Sequence, residues 1–260
     1  MSKPYVRHPL MAHRGYASMH PENTLEALRA AAEAGVNLLE FDVQLTRDHI
    51  PVLLHDESLK RTAGIDRSVC QSTLAELEAV RVGLPTRFGD SDKNVRLPTL
   101  EQALELLPAN SDWIYFIELK HESLRAFGIE LVVDEVLPLI YEHLAQCVII
   151  SFDYPCLLEV CRRSDVHVGW VLKQYDDVSQ QQAEALDPDY LFVNSQRLPE
   201  SGTPLWRGAW QWVSYEAADA DHARALYARG VDIVSSMAAP ELQRELSQSY
   251  LSDARDTPLG

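Results

Sequence analysis

Basic side chains are scarce in this chain. Of 260 residues, 23 are Lys or Arg against 39 Asp or Glu, a net charge of -16 with His neutral. Such a surface argues against a nucleic-acid partner, whose phosphates need a basic face, and against docking on an anionic membrane. A phosphate-bearing ligand would have to be held by local charge. Long apolar runs are also missing: none approaches the ~18 residues of a membrane span. The opening MSKPYVRHPLMAHRG has no apolar signal core. Cysteine is sparse, at Cys70, Cys147, Cys156 and Cys161, with no C-x2-C spacing. That pattern reads as reduced, buried thiols in a cytoplasmic protein. No G-x-G-x-x-G follows the first strand-like run, which weakens any dinucleotide reading. Internal repeats and low-complexity segments are absent.

What is present fits one globular core. The chain is 46% hydrophobic and 24% charged, and α/β barrels of roughly 200–250 residues are commonly single domains. The expectation is one domain, 1–260. Strand-like runs end near Ala12, Val43, Ile117, Ile150, Val171, Val193, Val213 and Val234. Helical patterns read at 25–34, 100–107, 132–144, 154–163 and 217–229, with Asn23 or Thr24 as a cap and Gly35 and Gly230 as stops. Eight strands alternating with helices predict a closed parallel TIM-type (β/α)8 barrel, an open doubly wound sheet being the alternative. After the second strand the rhythm breaks. A short strand ending at His55 is followed by 57–98, with one helical pattern at 73–80. This reads as an insertion on the catalytic face, either a substrate cap or a passive surface excursion. Leu84, Pro85 and Phe88 offer an apolar wall there, and Asp66, Asp90 and Asp92 a lure for a cationic group. Residues 247–260 read as a loose tail.

Five polar islands stand at strand ends: His13-Arg14-Gly15, Pro21-Glu22-Asn23-Thr24, Glu40-Phe41-Asp42, His55-Asp56 and Glu118-Leu119-Lys120. Glu40 and Asp42 lie two apart in a strand and so share a face, where they repel unless a cation separates them. Glu118 ends the next major strand and supplies a third carboxylate. Three carboxylates suit a hard divalent cation, Mg2+ or Ca2+, with Mn2+ as a further candidate. Each acid alone reads as a solvated strand end. His13 and His55 both end apolar strands beside these acids, and two imidazoles can serve as acid and base in phosphodiester cleavage. Zinc ligation competes, but no third His or Cys is in register. Arg14 and Lys120 suit non-bridging phosphate oxygens, or ion pairs with the acids, or both. Glu22 and Asn23 start a helix, with orientation of Arg14 as a second role for Glu22.

The ordered set His-Arg-Gly, Pro-Glu-Asn-Thr, Glu-x-Asp, Pro-Val-x-x-His-Asp, Leu-Pro-Thr-Leu and Glu-x-Lys resembles the glycerophosphodiester phosphodiesterase family. Weaker similarity continues through Ser151-Phe152, Trp212 and Gly230-Val231-Asp232. The resemblance implies a TIM-type barrel and divalent-metal-dependent hydrolysis of glycerophosphodiesters to glycerol 3-phosphate and an alcohol. By it His13 and His55 form the acid/base pair, and Glu40, Asp42 and Glu118 hold the metal. Arg14, Lys120 and Trp212 bind substrate or phosphate. The partner implied is a small glycerophosphodiester. Lysophospholipase D-type cleavage and a non-catalytic phosphate-binding barrel are the alternatives. The chain departs from the family pattern at Trp212-Val213-Ser214-Tyr215, usually Trp-Thr-Val-Asn, and at Ser235-Ser236, usually Thr-Asp. Both positions border the substrate side. The headgroup, the oligomeric state and the division of labour between the two His are not legible in the sequence.

Overall fold

The computed structural model describes residues 9–89, 94–106 and 112–253. Its strands are β1 (Leu10–His13), β2 (Leu38–Leu45), β3 (Pro51–Leu53), β4 (Ile114–Leu119), β5 (Cys147–Ser151), β6 (His167–Val171), β7 (Tyr190–Asn194), β8 (Gln211–Tyr215) and β9 (Ile233–Ser236). Eight run parallel in the order β1-β2-β4-β5-β6-β7-β8-β9. The last pairs back onto the first, with Leu10 opposite Val234. The sheet is thus a closed (β/α)8 barrel and not a doubly wound sheet. Strand β3 is the exception. Residues Leu38, Leu39 and Glu40 of β2 pair with β1, and Val43, Gln44 and Leu45 pair antiparallel with β3. The hairpin thereby occupies the edge of β2 that β1 leaves free.

The helices are α1 (Leu25–Glu33), α2 (Lys60–Ala63), α3 (Leu74–Leu77), α4 (Pro85–Phe88), α5 (Leu100–Leu104), α6 (His121–Phe127), α7 (Ile129–Ile140), α8 (Tyr154–Arg163), α9 (Asp177–Leu186), α10 (Ala220–Ala228) and α11 (Ala239–Asp253). Thr24 caps α1, its hydroxyl accepting from Ala27 N at 3.2 Å. Helix α10 starts at Ala220, later than the pattern predicts, because Asp219 caps it by accepting from His222 N. The expected loose tail is corrected. Helix α11 runs on to Asp253 because Leu242 and Leu246 are buried in the outer core, with the helix against β1. The remainder of that tail, 254–260, lies outside the described residues, and the helix expected at 100–107 is shorter, ending at Leu104 with Glu105 as its C-cap.

Alternation along each strand sends every second side chain into the barrel. Met11, Phe116, Val148, Ile150, Val171, Phe192, Val213 and Ile233 form its inner core. Burial of each contributes ~1.5–3 kcal/mol. Gly169 makes room for two of them: a Cβ there would sit 2.8 Å from both Ile150 Cγ2 and Phe192 Cε2. The same alternation carries Glu40, Asp42 and Gln44 inward on β2, and Glu118 on β4, above this apolar floor. Between β7 and β8 no α-helix intervenes, only a 3-10 turn, Ser195–Arg197. Aromatic rings take the helix's place, with Tyr175 stacked on Trp206 at 4.0 Å and Trp206 beside Trp212 at 5.8 Å.

The insertion folds on a small core of its own. Val52 and Leu54 of the hairpin pack with Leu59, Val69, Leu77, Val80, Val82, Val95 and Leu97. The helical pattern at 73–80 shortens to α3, with Thr73 and Glu76 forming a capping box.

Candidate active site

Each charged side chain of the site is placed by a strand end. His13 is the last residue of β1. The chain then turns through Arg14 (φ +57°) and Gly15 (φ +78°). Only glycine fits at position 15, since a Cβ would lie 2.6 Å from the Ala27 carbonyl carbon of α1. The turn aims the Arg14 backbone N–H at Glu40, to which it donates at 2.9 Å. The Arg14 side chain meanwhile donates to Glu22 Oε1 at 2.8 Å and lies 3.2 Å from Asp42 Oδ2. Asn23 is more than a helix start. Its amide donates to Asp42 Oδ2 at 2.8 Å and its carbonyl accepts from Asp42 N at 3.1 Å.

Glu40, Asp42 and Glu118 come together as the pattern predicts. All three are buried, and one oxygen of each lies within 4.8 Å of the others. Lys120 donates to Glu118 Oε1 at 2.9 Å and lies 3.2 Å from Asp42 Oδ1. Burial alone would raise the Asp42 carboxyl, but Lys120 and then Arg14 outweigh it and hold it well below the usual range. The flanking acids go the other way. Burial, then repulsion by Asp42, pushes both Glu40 and Glu118 upward. Two basic side chains therefore do not balance this cluster. A donor set of closely spaced carboxylate oxygens with unrelieved repulsion fits a hard divalent cation.

His55 is held by the hairpin. The inward amide of Gln44 donates to three successive carbonyls, Leu54 O at 3.0 Å, His55 O at 3.3 Å and Asp56 O at 2.6 Å. His55 Nδ1 is 2.7 Å from Asp56 Oδ1. Arg61, on α2, contacts Asp56 and Glu22 together, at 2.6–2.9 Å. Across the mouth, His13 Nε2 lies 3.8 Å from Glu40 Oε2, and its Nδ1 lies 3.9 Å from Glu216 Oε2. Burial would raise Glu216, but the His13 contact and the Met237 N–H hold it below the usual carboxylate value.

One cavity collects these groups. It has a volume of about 100 Å³ and is lined by His13, Arg14, Glu40, His55, Glu118 and Lys120 on one side. Ile150, Phe152, Val171, Phe192, Tyr215 and Ser235 line the other. Of the two departures from the family pattern, one residue each, Tyr215 and Ser235, faces this cavity.

Trp212 does not. On β8 it alternates with the inward Val213 and faces the outer layer, where its indole N–H donates to Trp206 O at 3.1 Å. It thus lies outside the cavity at which a substrate contact is expected of it. The described insertion residues named as a wall or a lure, Leu84, Pro85, Phe88 and Asp66, are not among those lining the cavity. Leu84 is buried, Pro85 is exposed, Phe88 is half-buried, and Asp66 lies exposed 3.8 Å from Lys60. Asp90 and Asp92 lie outside the described residues. Sequence reasoning missed Gln44, Arg61 and Glu216. Only Gln44 left a signal, continuing the i, i+2 row of Glu40 and Asp42.

The fold and site together define a (β/α)8 barrel with an acidic, cation-type centre and two imidazoles at its mouth. Comparison with known proteins narrows this. A model of the glycerophosphoryl diester phosphodiesterase family matches residues 13–193. The chain belongs to that family. A glycerophosphodiester phosphodiesterase of Bacillus altitudinis is 38% identical over 126 residues, 48% of this chain and 51% of that one. Glycerophosphodiester phosphodiesterase 1 of Bos taurus is 31% identical over 183 residues, covering 67% and 54%. The chain spans about half the length of the curated relatives it matches. Among solved structures, an Oleispira antarctica phosphodiesterase in complex with the product sn-glycerol-3-phosphate superposes with a TM-score of 0.80. It is 26% identical, over 92% of this chain and 96% of that one. A glycerophosphodiester phosphodiesterase of Thermotoga maritima, 24% identical, shares the fold with a TM-score of 0.72 over 93% and 99%. Among the described residues no helix is long and apolar enough to cross a membrane.

Proposed function

We propose that this protein hydrolyses glycerophosphodiesters to glycerol 3-phosphate and an alcohol. The observation that carries the reading is the lining of one cavity by three kinds of group at once: two imidazoles, two cations, and Glu40 and Glu118 of a buried carboxylate trio. Glu40, Asp42 and Glu118 would hold a divalent cation, Mg2+, Mn2+ or Ca2+, which when bound supplies positive charge to polarise the phosphate. Arg14 and Lys120 orient the non-bridging oxygens and offset the charge that grows on them. One of His13 and His55 takes the proton of the attacking oxygen as its bond to phosphorus forms. The other gives a proton to the alkoxide as the bond to the alcohol breaks. The attacking oxygen is that of water, or that of the neighbouring glycerol hydroxyl, in which case a cyclic phosphate forms first and water then opens it to glycerol 3-phosphate.

Unpaired Cys70, Cys147, Cys156 and Cys161 support a cytoplasmic setting. A lysophospholipase D role would need an apolar groove, and Trp206, Trp210 and Trp212 do not form one at the cavity, since they pack on one another. The deciding experiment is release of choline, ethanolamine, glycerol or inositol from the matching glycerophosphodiesters, with lysophosphatidylcholine alongside, with and without chelator. Chelator-sensitive release from the short diesters is expected. Release from the lysophospholipid alone, or none from any, would overturn the reading.

A further inference from the structure

We infer that Arg61, supplied by the insertion, is a positioning residue that fixes the tautomer and direction of His55. The inference rests on the proposed role of His55 in proton transfer. Its guanidinium uses three nitrogens to hold two carboxylates at once. Nε and Nη2 donate to Asp56 Oδ2 and Oδ1 at 2.7 and 2.9 Å. Nη1 and Nη2 donate to Glu22 Oε2 and Oε1 at 2.6 and 2.8 Å. Glu22 is the anchor, since it is buried and its Oε1 is also tied to Arg14. Asp56 is the part that is steered, because its Oδ1 meets both Arg61 and His55 Nδ1.

A carboxylate gripped on both oxygens by a guanidinium stays ionised and can only accept. His55 Nδ1 must then carry the proton, and Nε2 is left with its lone pair free. Without Arg61, Asp56 is a half-exposed acid on a loop, free to rotate away from the ring. A lysine cannot replace this clamp, because one ammonium cannot present two parallel pairs of donors. A surface ion pair of no consequence would not reach across 39 residues to a buried acid, nor share an oxygen with the imidazole. The insertion thus bears on bond breaking through α2, although none of its described side chains lines the cavity.

The test compares wild type with Arg61→Ala and Arg61→Lys by 15N NMR of the imidazoles, and by turnover of glycerophosphocholine. In the wild type His55 should show the Nδ1–H tautomer alone. In Arg61→Ala it should become a mixture, while the His13 signals stay in place and report an intact mouth. The kcat should fall about 10–100-fold, the usual effect of losing a partner that orients a site residue. Arg61→Lys should recover only part. If Arg61→Ala does not fold, Arg61→Lys, which keeps the charge, carries both readouts. In an Asp56→Asn background the further loss on removing Arg61 should be under about threefold, as for residues acting as one unit. An unchanged His55 tautomer in both variants, or an undiminished loss in that background, would overturn the inference. Absence of turnover in the wild type would overturn the proposed function instead, and the NMR comparison would still decide what Arg61 does to His55.

Discussion

Asp42→Asn isolates the acidic centre with little change of shape. It removes a charge that lies 3.2 Å from Lys120 Nζ and 3.2 Å from Arg14 Nε. Breaking a buried ion pair costs about 3–5 kcal/mol when the remaining charge has no other partner. Here Lys120 keeps Glu118 at 2.9 Å and Arg14 keeps Glu22 at 2.8 Å. The substitution also relieves the repulsion that pushes Glu40 and Glu118 upward. The net cost in metal-free protein should therefore fall below that range, at about 1–2 kcal/mol. At about 2–4 °C per kcal/mol this lowers Tm by about 2–8 °C. Cation binding gives the sharper signal. A cation at 100 times its Kd adds about 2.7 kcal/mol of stability, or about 5–11 °C, to the wild type. Asp42→Asn should abolish that rise and lower turnover by about 10³, since several kcal/mol of charge stabilisation go with the ion. The assay is thermal unfolding in EDTA and in graded Mg2+, Mn2+ and Ca2+, run beside alcohol release. A variant that keeps the cation-dependent rise in Tm, or wild-type protein with full turnover in excess chelator, would remove the trio from this role.

Replacing His13 or His55 by Ala should each lower kcat by about 10²–10⁴, with the double variant little worse, as steady-state kinetics would show; two small additive effects would indicate structural roles. Trp212→Phe loses one hydrogen bond to Trp206 O, so it should cost about 1 kcal/mol in Tm measurements and leave kcat/KM unchanged, whereas a fall in kcat/KM would return it to the substrate site. Gly15→Ala meets the Ala27 backbone at 2.6 Å and demands φ +78° of an L residue, so it should lower both Tm and kcat/KM by displacing Arg14. Burial would raise Asp56, but Arg61 and then His55 hold it at about 2. The stability it adds is complete above 3.8, the ordinary carboxyl value, and lost as pH falls toward about 2. In that window denaturant titrations should show wild type losing stability more steeply than Asp56→Asn.

The barrel was legible because its parallel strands are apolar runs that each stop at a polar group. β1, β2 and β4 announce both the fold and the site in the same residues. Helices were legible where an apolar face exists, as in α8. They were not where it is slight: α9 buries only Ser179 and Ala183. The carboxylate trio and the imidazole pair were legible from spacing, because a strand fixes which side chains share a face. Arg61 and Glu216 were not. Each meets its partner through a turn whose path depends on the whole barrel, and nothing local marks an arginine on a four-residue helix as the neighbour of Glu22. Trp212 misled for the opposite reason. Its place in the motif is right, but β8 registers it outward and puts Tyr215 at the rim.

The lining of the mouth is split into two chemically distinct halves, joined by the contact of Glu216, just after β8, with His13. Every charged group lining the cavity comes from β1, β2, the β3 hairpin or β4, which are neighbours in the ring, and all lie within the 13–193 stretch matched by the family. The facing half, from β5 through β9, contributes Ile150, Phe152, Val171, Phe192, Tyr215 and Ser235 and no ionisable carboxylate, amine or imidazole. Substitutions at these lining positions change the apolar wall opposite the charged groups while leaving the acidic trio on β2 and β4 unchanged in sequence. Under the proposed function, a lineage would drift toward new alcohols by altering Tyr215 and Ser235 on β8 and β9 while keeping Glu216 against His13. Exchanging only the residues at positions 215 and 235 between members, with Glu216 retained, is the corresponding route to altering preference under that proposal.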